Sequence, residues 1–248
     1  MEILEDIYKH SNLKYLDYVK YLKNKYGKVN DDYYKEKSYL KFKNGEIKNP
    51  TKGKASKTSE GLFIHHIYEI KYENISNPAF IKTYKYPFKV QKSENLVYCS
   101  LLEHSWLHVL IYKETKGQLG YKGLELFLMT MISDWYIEKI IPTKKQWQKN
   151  VYKKSFINPK QAKEFLKFIN DNMPSYTKEE QKIFNFQKKY PNIVKKGINI
   201  KISRERILKK LFKYSEVKSF KNFKSQKINE LRENLLSELN KLINNNKK

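Results

Sequence analysis

Four of the five histidines, His65, His66, His104 and His108, fall within residues 65–108, and this clustering restricts the fold more than any other feature. His104 and His108 are four apart, so a helix through them puts both imidazoles on one face, one turn above the other. The flanking residues predict that helix: Ser100 is a favourable N-cap, and the run from Leu101 to about Lys113 is largely apolar. His65 and His66 lie in a short β-prone run, Leu62-Phe-Ile-His-His-Ile67, bounded by Gly61. A second β-prone run, Leu96-Val-Tyr-Cys99, precedes Ser100, so the local order is strand, long connection, strand, helix. Adjacent strand residues point to opposite sides. One histidine of the pair can therefore join the helical two around a cation while the other faces a substrate groove. Three protein ligands leave a coordination position open, as catalytic metal sites require. An imidazole beside them titrates near neutrality and can take a proton from water.

The rest of the composition narrows the partner. The 248 residues allow one large domain or two small ones. Lys and Arg number 51 against 26 Asp and Glu, a net charge of +25 that favours a polyanion, most simply nucleic acid. Apolar residues at 40% and aromatics at 15% exclude a disordered tail. The lone Cys99 excludes an intramolecular disulfide and a four-cysteine zinc knuckle. The start, Met1-Glu-Ile-Leu-Glu-Asp6, is acidic where a secretory leader is basic. The most apolar stretch, Leu124 to Ile141, carries Glu125, Asp134, Glu138 and Lys139, which predicts a buried helix in place of a membrane span. A cytoplasmic protein that makes no membrane contact is the expectation.

Periodicity predicts helices around the histidine segment. Tyr15, Tyr18, Val19, Leu22 and Tyr26 share one face, with Gly27 as C-cap. Lys52-Gly-Lys-Ala-Ser-Lys-Thr-Ser59 reads as an exposed basic loop in which Lys52, Lys54 and Lys57 can meet phosphates. Further on, Asn158-Pro159 and Thr177-Lys-Glu-Glu180 are helix-start signatures. Ser203 is placed to cap a basic helix with Arg204, Arg206, Lys209 and Lys210, candidate nucleic-acid contacts. Ser225 is placed to cap a last helix with Ile228, Leu231, Leu235, Leu239 and Leu242 on one face. The tail from Asn244 to Lys248 is expected to fray.

The segment His65-His66, Asn95, His104-x-x-x-His108 resembles the HNH, or ββα-metal, nucleases, with eight residues between Asn95 and His104 as in the colicin type. The resemblance implies one divalent ion (Mg, Mn, Zn or Ni) held by His65, His104 and His108. It implies His66 as general base and Asn95 as a brace for the loop that orients it. It covers roughly residues 61–113. The connection from His66 to Asn95 is longer than the family's, which makes Asn74 and Asn77 alternative braces. The implied protein is α+β, with a small nuclease core embedded in mostly helical flanks. Residues 1–60 form an N-terminal helix and basic loop, 61–115 the core, and 116–248 a basic helical region. The implied activity is an endonuclease cutting DNA to 5′-phosphate and 3′-hydroxyl ends, in restriction, phage defence or a mobile element by analogy with the family. A homodimer would suit a cutter of palindromic sites.

Two other readings use the same residues. In one, the histidines hold a structural zinc closed by Cys99 or Glu103, and the chain binds nucleic acid without cutting it. In the other, the fold cuts RNA as a toxin. Glu69 and Glu103 flank the site, where each could orient a ligand imidazole or simply be solvated. His10 has no partner in the pattern, and Trp106, between the two helical histidines, is expected to face the core.

Overall fold

In a computed structural model that describes residues 2–245, the chain divides between Ser175 and Tyr176 into two compact units. The N-terminal unit opens with helices α1 (Glu2–Lys9), α2 (Tyr15–Tyr26) and α3 (Glu36–Asn44). Strand β1 (Phe63–His66) runs into a 3-10 turn, Ile67–Ile70; then come helix α4 (Pro78–Tyr84), strand β2 (Leu96–Cys99) and helix α5 (Leu101–Glu114). A helical segment over 121–137 and the helices Gln146–Lys154 and Pro159–Asp171 complete the unit. Helices dominate and the sheet has two strands, an α+β composition.

The strands pair antiparallel, with His65 opposite Val97 and His66 opposite Leu96. Alternation along β2 decides what each histidine faces, because residues paired across a ladder share a side of the sheet. Val97 and Cys99 enter the main core with Tyr15, Tyr18 and Leu22 of α2, Trp106 and Leu107 of α5, and Phe165 and Ile169. Leu96 and Tyr98 enter a second cluster with Val29, Ala55 and Leu62. His65 is therefore carried on the α5 side and His66 on the other. Trp106 stacks on Phe168 at 4.9 Å, within the core as expected.

The long connection between the strands is itself folded. Ile75, Ile81, Tyr86, Phe88 and Val90 pack with Tyr34, Tyr39 and Phe42. Residues 116–175 share the core of the histidine-bearing elements, so their compact unit extends well beyond residue 115. The apolar stretch expected as one buried helix alternates between α turns (Tyr121–Gly123, Thr130–Ile132) and wider π turns (Leu124–Met129, Ser133–Ile137). Its buried Leu124, Leu128, Ile132 and Tyr136 are each four apart, a spacing that drifts around an ordinary helix and is kept on one face by the wider turns. Leu126, Phe127, Ile140 and Ile141 remain exposed. No described helix is long and apolar enough to cross a membrane.

The C-terminal unit holds helices Lys178–Lys189, Pro191–Lys195, Arg204–Phe212, Phe220–Gln226 and Arg232–Asn245. Its own core includes Phe186, Ile193, Ile207, Leu211, Leu235 and Leu239. Asn158, Thr177 and Ser203 cap their helices as the sequence predicts. Ser225 does not: it lies inside Phe220–Gln226, and the last helix starts only at Arg232. The reason is the Arg204 guanidinium, which donates to the carbonyls of Lys227, Ile228 and Glu230 and holds that stretch out of helix. Of the tail expected to fray, Asn244 and Asn245 are helical, and 246–248 lie outside the described residues.

Candidate metal centre

The β1 register and the start of α5 bring three of the four clustered histidines together. Ser100 and Glu103 form a reciprocal capping box that sets where α5 begins, and hence the height of His104 and His108 against β1. Ring centroids lie 5.1 Å apart for His65–His104, 5.6 Å for His65–His108 and 5.1 Å for His104–His108. Glu69, on the turn after β1, completes the group: each residue offers one ligand atom, and these atoms all lie within 4.8 Å of one another. Glu69 Oε2 is 3.4 Å from His108 Nε2 and 3.7 Å from His65 Nδ1. Tetrahedral donors about 2.0–2.1 Å from an ion are roughly 3.3 Å apart, so the most widely spaced donors would draw in by up to about 1.5 Å to close this shell.

Hydrogen bonding shows which nitrogens are free. The Tyr15 hydroxyl donates to the Ile67 carbonyl (3.0 Å) and lies 2.8 Å from His65 Nε2. With its one proton so used, the hydroxyl accepts from Nε2–H, and the His65 lone pair is on Nδ1. His108 Nδ1 donates to the Gly120 carbonyl at 2.8 Å, leaving Nε2 as the lone-pair nitrogen that faces Glu69. The Nδ1 atoms of His65 and His104 are buried without a hydrogen-bond partner. Buried nitrogens are rarely left unsatisfied, and metal ligation would satisfy these two. Burial, reinforced by mutual repulsion for His65 and His104, holds all three imidazoles below the ordinary value and therefore neutral at pH 7, the form that binds metal. Burial pushes the Glu69 carboxyl up to about 8. These residues could hold a divalent cation. Glu69, 19% exposed, and His108 border a cleft of about 160 Å³ walled by Tyr72, Asn74, Gly120 and Gly123.

His66 does not face an open groove. It is 1% exposed, beneath the edge of Tyr33 (4.6 Å between centroids), because the folded connection covers that side of the sheet. Its Nε2 lies 3.1 Å from Gln91 Oε1, and Gln91 Nε2 donates to the Ile75 carbonyl at 3.0 Å. That second bond fixes the amide orientation, so His66 donates from Nε2 and keeps its lone pair on Nδ1, 3.9 Å from Glu69 Oε1. Burial lowers its pKa to about 4. Asn95 does not touch His66; it donates to the Lys89 carbonyl at 2.8 Å and ties down the loop that carries Gln91. Asn77 caps α4, and Asn74 lines the cleft with a left-handed backbone, φ 50°.

The fourth donor of the cluster is Glu69, in place of Cys99 or Glu103. Cys99 is buried in β2. Glu103 accepts from Lys25, Tyr26 and the Ser100 amide. His10 stacks on Tyr21. Lys52 and Lys54 are exposed, with Lys52 Nζ 5.8 Å from the Tyr33 ring centre. Half-buried Lys57 lies over Tyr98. Arg204 is committed to three carbonyls and Lys209 pairs with Glu205, whereas Arg206 and Lys210 turn away from the core of their helix. Sequence alone places Glu69 beside the site as a carboxylate that could orient a ligand imidazole, not as a donor, and it gives no signal for Gln91. Comparison with protein-family models, curated proteins and solved structures finds no match for this chain.

Proposed function

We propose that the chain is a metal-dependent endonuclease of the HNH type acting on DNA, with β1, β2 and α5 as its ββα-metal core. The observation that carries this reading is the convergence of two unpartnered imidazole nitrogens with Glu69 and His108, beside a fourth histidine whose lone pair is oriented toward the same carboxylate. His65, Glu69, His104 and His108 would hold one divalent cation, and three imidazoles suit zinc or nickel better than magnesium or manganese. When bound, the cation supplies Lewis-acid stabilisation of charge developing on the scissile phosphate. In this reading His66 is the general base: Gln91 keeps its Nδ1 unprotonated, Asn95 steadies the loop behind Gln91, and the connection that covers His66 would have to move aside to admit the attacking water.

The test is cleavage of supercoiled plasmid with Mg, Mn, Ni and Zn in turn, read beside metal affinity by calorimetry. Wild type is expected to nick or linearise the plasmid. His66→Ala should lose cleavage by about 100-fold or more while still binding metal. His104→Ala should lose both. The complete four-donor shell and the 1% exposure of His66 favour a second reading, a structural zinc site in a nucleic-acid-binding protein. Tight metal binding with no cleavage of DNA under any metal would establish that reading in place of the first, and cleavage of RNA alone would establish the RNA-cutting one.

A further inference from the structure

The C-terminal unit carries a charge density unlike the rest of the chain. Residues 176–248 contain 20 Lys and Arg against 7 Asp and Glu, net +13 in 73 residues; the first 175 residues contain 31 against 19, net +12. All three arginines of the chain, Arg204, Arg206 and Arg232, are in this unit. Two are internal clamps: Arg204 on the carbonyls of Lys227, Ile228 and Glu230, and Arg232 on those of Ile200 and Ile202. Arg206 is different.

Helix Arg204–Phe212 turns Ile207, Leu208 and Leu211 into the core of the unit. At 100° per residue, Arg206, Lys210 and Lys213 share the opposite face, at i, i+4 and i+7. Arg206 and Lys213 are exposed and Lys210 half-buried. Neighbouring Lys209 meets Glu205 at 3.3 Å, and Lys224 meets the same carboxylate at 3.5 Å. Among the described residues, no carboxylate lies within 4.0 Å of Arg206, Lys210 or Lys213. Three uncompensated cations thus stand in one row, two on a helix whose other face is packed in the core and Lys213 at its C-cap, which keeps helical dihedrals.

We infer that the Arg206, Lys210 and Lys213 row is a docking surface for the phosphate backbone of duplex DNA. The inference extends the nuclease reading by naming what holds the substrate, and it needs no metal. Charge complementarity selects the occupant: a row of cations with no apolar side chain among them matches a repeating row of phosphates. An anionic membrane fits less well, because a membrane-surface helix must offer its apolar face, and here that face is in the core. The row reads backbone and no base edge, so it predicts affinity with little sequence preference.

The test uses the full chain in chelator, so that binding is separated from cutting, with a labelled 20-base-pair duplex followed by anisotropy from low to high KCl. The triple variant R206Q/K210Q/K213Q is expected to bind several-fold more weakly. Its slope of log affinity against log salt should be shallower by about 3, at about 0.9 for each phosphate no longer neutralised. K37Q/K41Q/K48Q removes equal charge from exposed positions of the other unit and should leave the slope nearly unchanged. Equal losses in the two variants, or no loss in the first, overturns the inference. So does retention on phosphatidylserine vesicles that depends on the row where the duplex is not bound. Plasmid cleavage by wild type with added metal is read separately, so a failed nuclease reading (binding without cleavage) and a failed docking surface (cleavage with binding that does not depend on the row) give different results.

Discussion

Gly123 shows how closely the surroundings of one ligand are drawn. It sits in a helical turn with ordinary dihedrals (φ −64°), where alanine normally gains about 1 kcal/mol over glycine. Here an added Cβ would lie 2.7 Å from Cε1 of His108, and the ring cannot retreat without breaking its bond to the Gly120 carbonyl. Gly123→Ala is therefore expected to lower affinity for zinc by about 10- to 100-fold, the usual cost of disturbing a group that orients a ligand. Calorimetry checks the affinity, and far-UV circular dichroism should show the helices retained; an unchanged affinity means the turn does not position the ring. The imidazoles also set a pH dependence for the metal-free protein. His65, His66, His104 and His108 are all held below the ordinary value near 6.5, so the unfolded chain binds more protons than the folded one below that pH. Their contribution to stability is intact above about 6.5 and is lost as pH falls toward the value of about 4 held by His66. Glu69, held up to about 8, gains its proton on folding and works the other way, one group against four. Urea midpoints between pH 6.5 and 5 should therefore fall, and substituting His66 by Gln should flatten the fall; a midpoint that rises over that range contradicts buried neutral rings. Three of the four metal-site residues were legible because helical spacing and strand alternation are local rules. Glu69 was legible only as a flanking carboxylate and not as a donor, because a 3-10 turn after a strand leaves no periodic trace, and Gln91 was missed because it reaches His66 across 25 residues of connection.

At the scale of elements, α5 matters most, since it carries two donors and its first turn sets their position. Its N-cap was legible because the Ser100 side chain can satisfy one of the first orphan amides, whereas the reciprocal bond from Glu103 emerged only from the structure. Local signals of the same kind located the starts at Asn158 and Thr177. What could not be read was structure that tertiary packing imposes: the π turns that keep Leu124, Leu128 and Ile132 on one face, and the folding of the connection over His66. The role of Glu103 likewise depends on distant partners. Its side chain is fully buried, paired with Lys25 Nζ at 2.8 Å and with the Tyr26 hydroxyl at 2.9 Å. Ser100→Ala removes one cap bond and is expected to cost about 1 kcal/mol. Glu103→Ala removes the other half of the box and also strips an acceptor from the Lys25 ammonium and the Tyr26 hydroxyl, so it should cost more. Urea unfolding of both variants checks the order. A Glu103→Ala loss no larger than that of Ser100→Ala would show that the buried network adds nothing to the cap.

At the scale of the whole molecule, composition gave the charge but not its distribution; only the division at Ser175 shows that the shorter unit holds half of the net +25. The side chains best suited to ligate metal are distributed the other way. Every histidine and the cysteine lie before residue 176, and so do all three tryptophans, Trp106, Trp135 and Trp147. Trp106 and Trp135 are in the same core as α5. Tryptophan fluorescence therefore reports unfolding of the unit that contains the candidate centre. A ligand that binds the folded state alone at 100 times its Kd adds about 2.7 kcal/mol. For a unit of this length each kcal/mol moves the midpoint by about 2–4 °C, so saturating zinc should raise the fluorescence-detected Tm by roughly 5–10 °C. Chelator should reverse the shift, and His104→Ala should abolish it, because that substitution removes a donor whose nitrogen has no other partner. The same shift in His104→Ala would place the metal elsewhere on the chain. No shift in wild type would mean that the four side chains are held together by packing alone, with the cost of their unsatisfied nitrogens carried by the surrounding core.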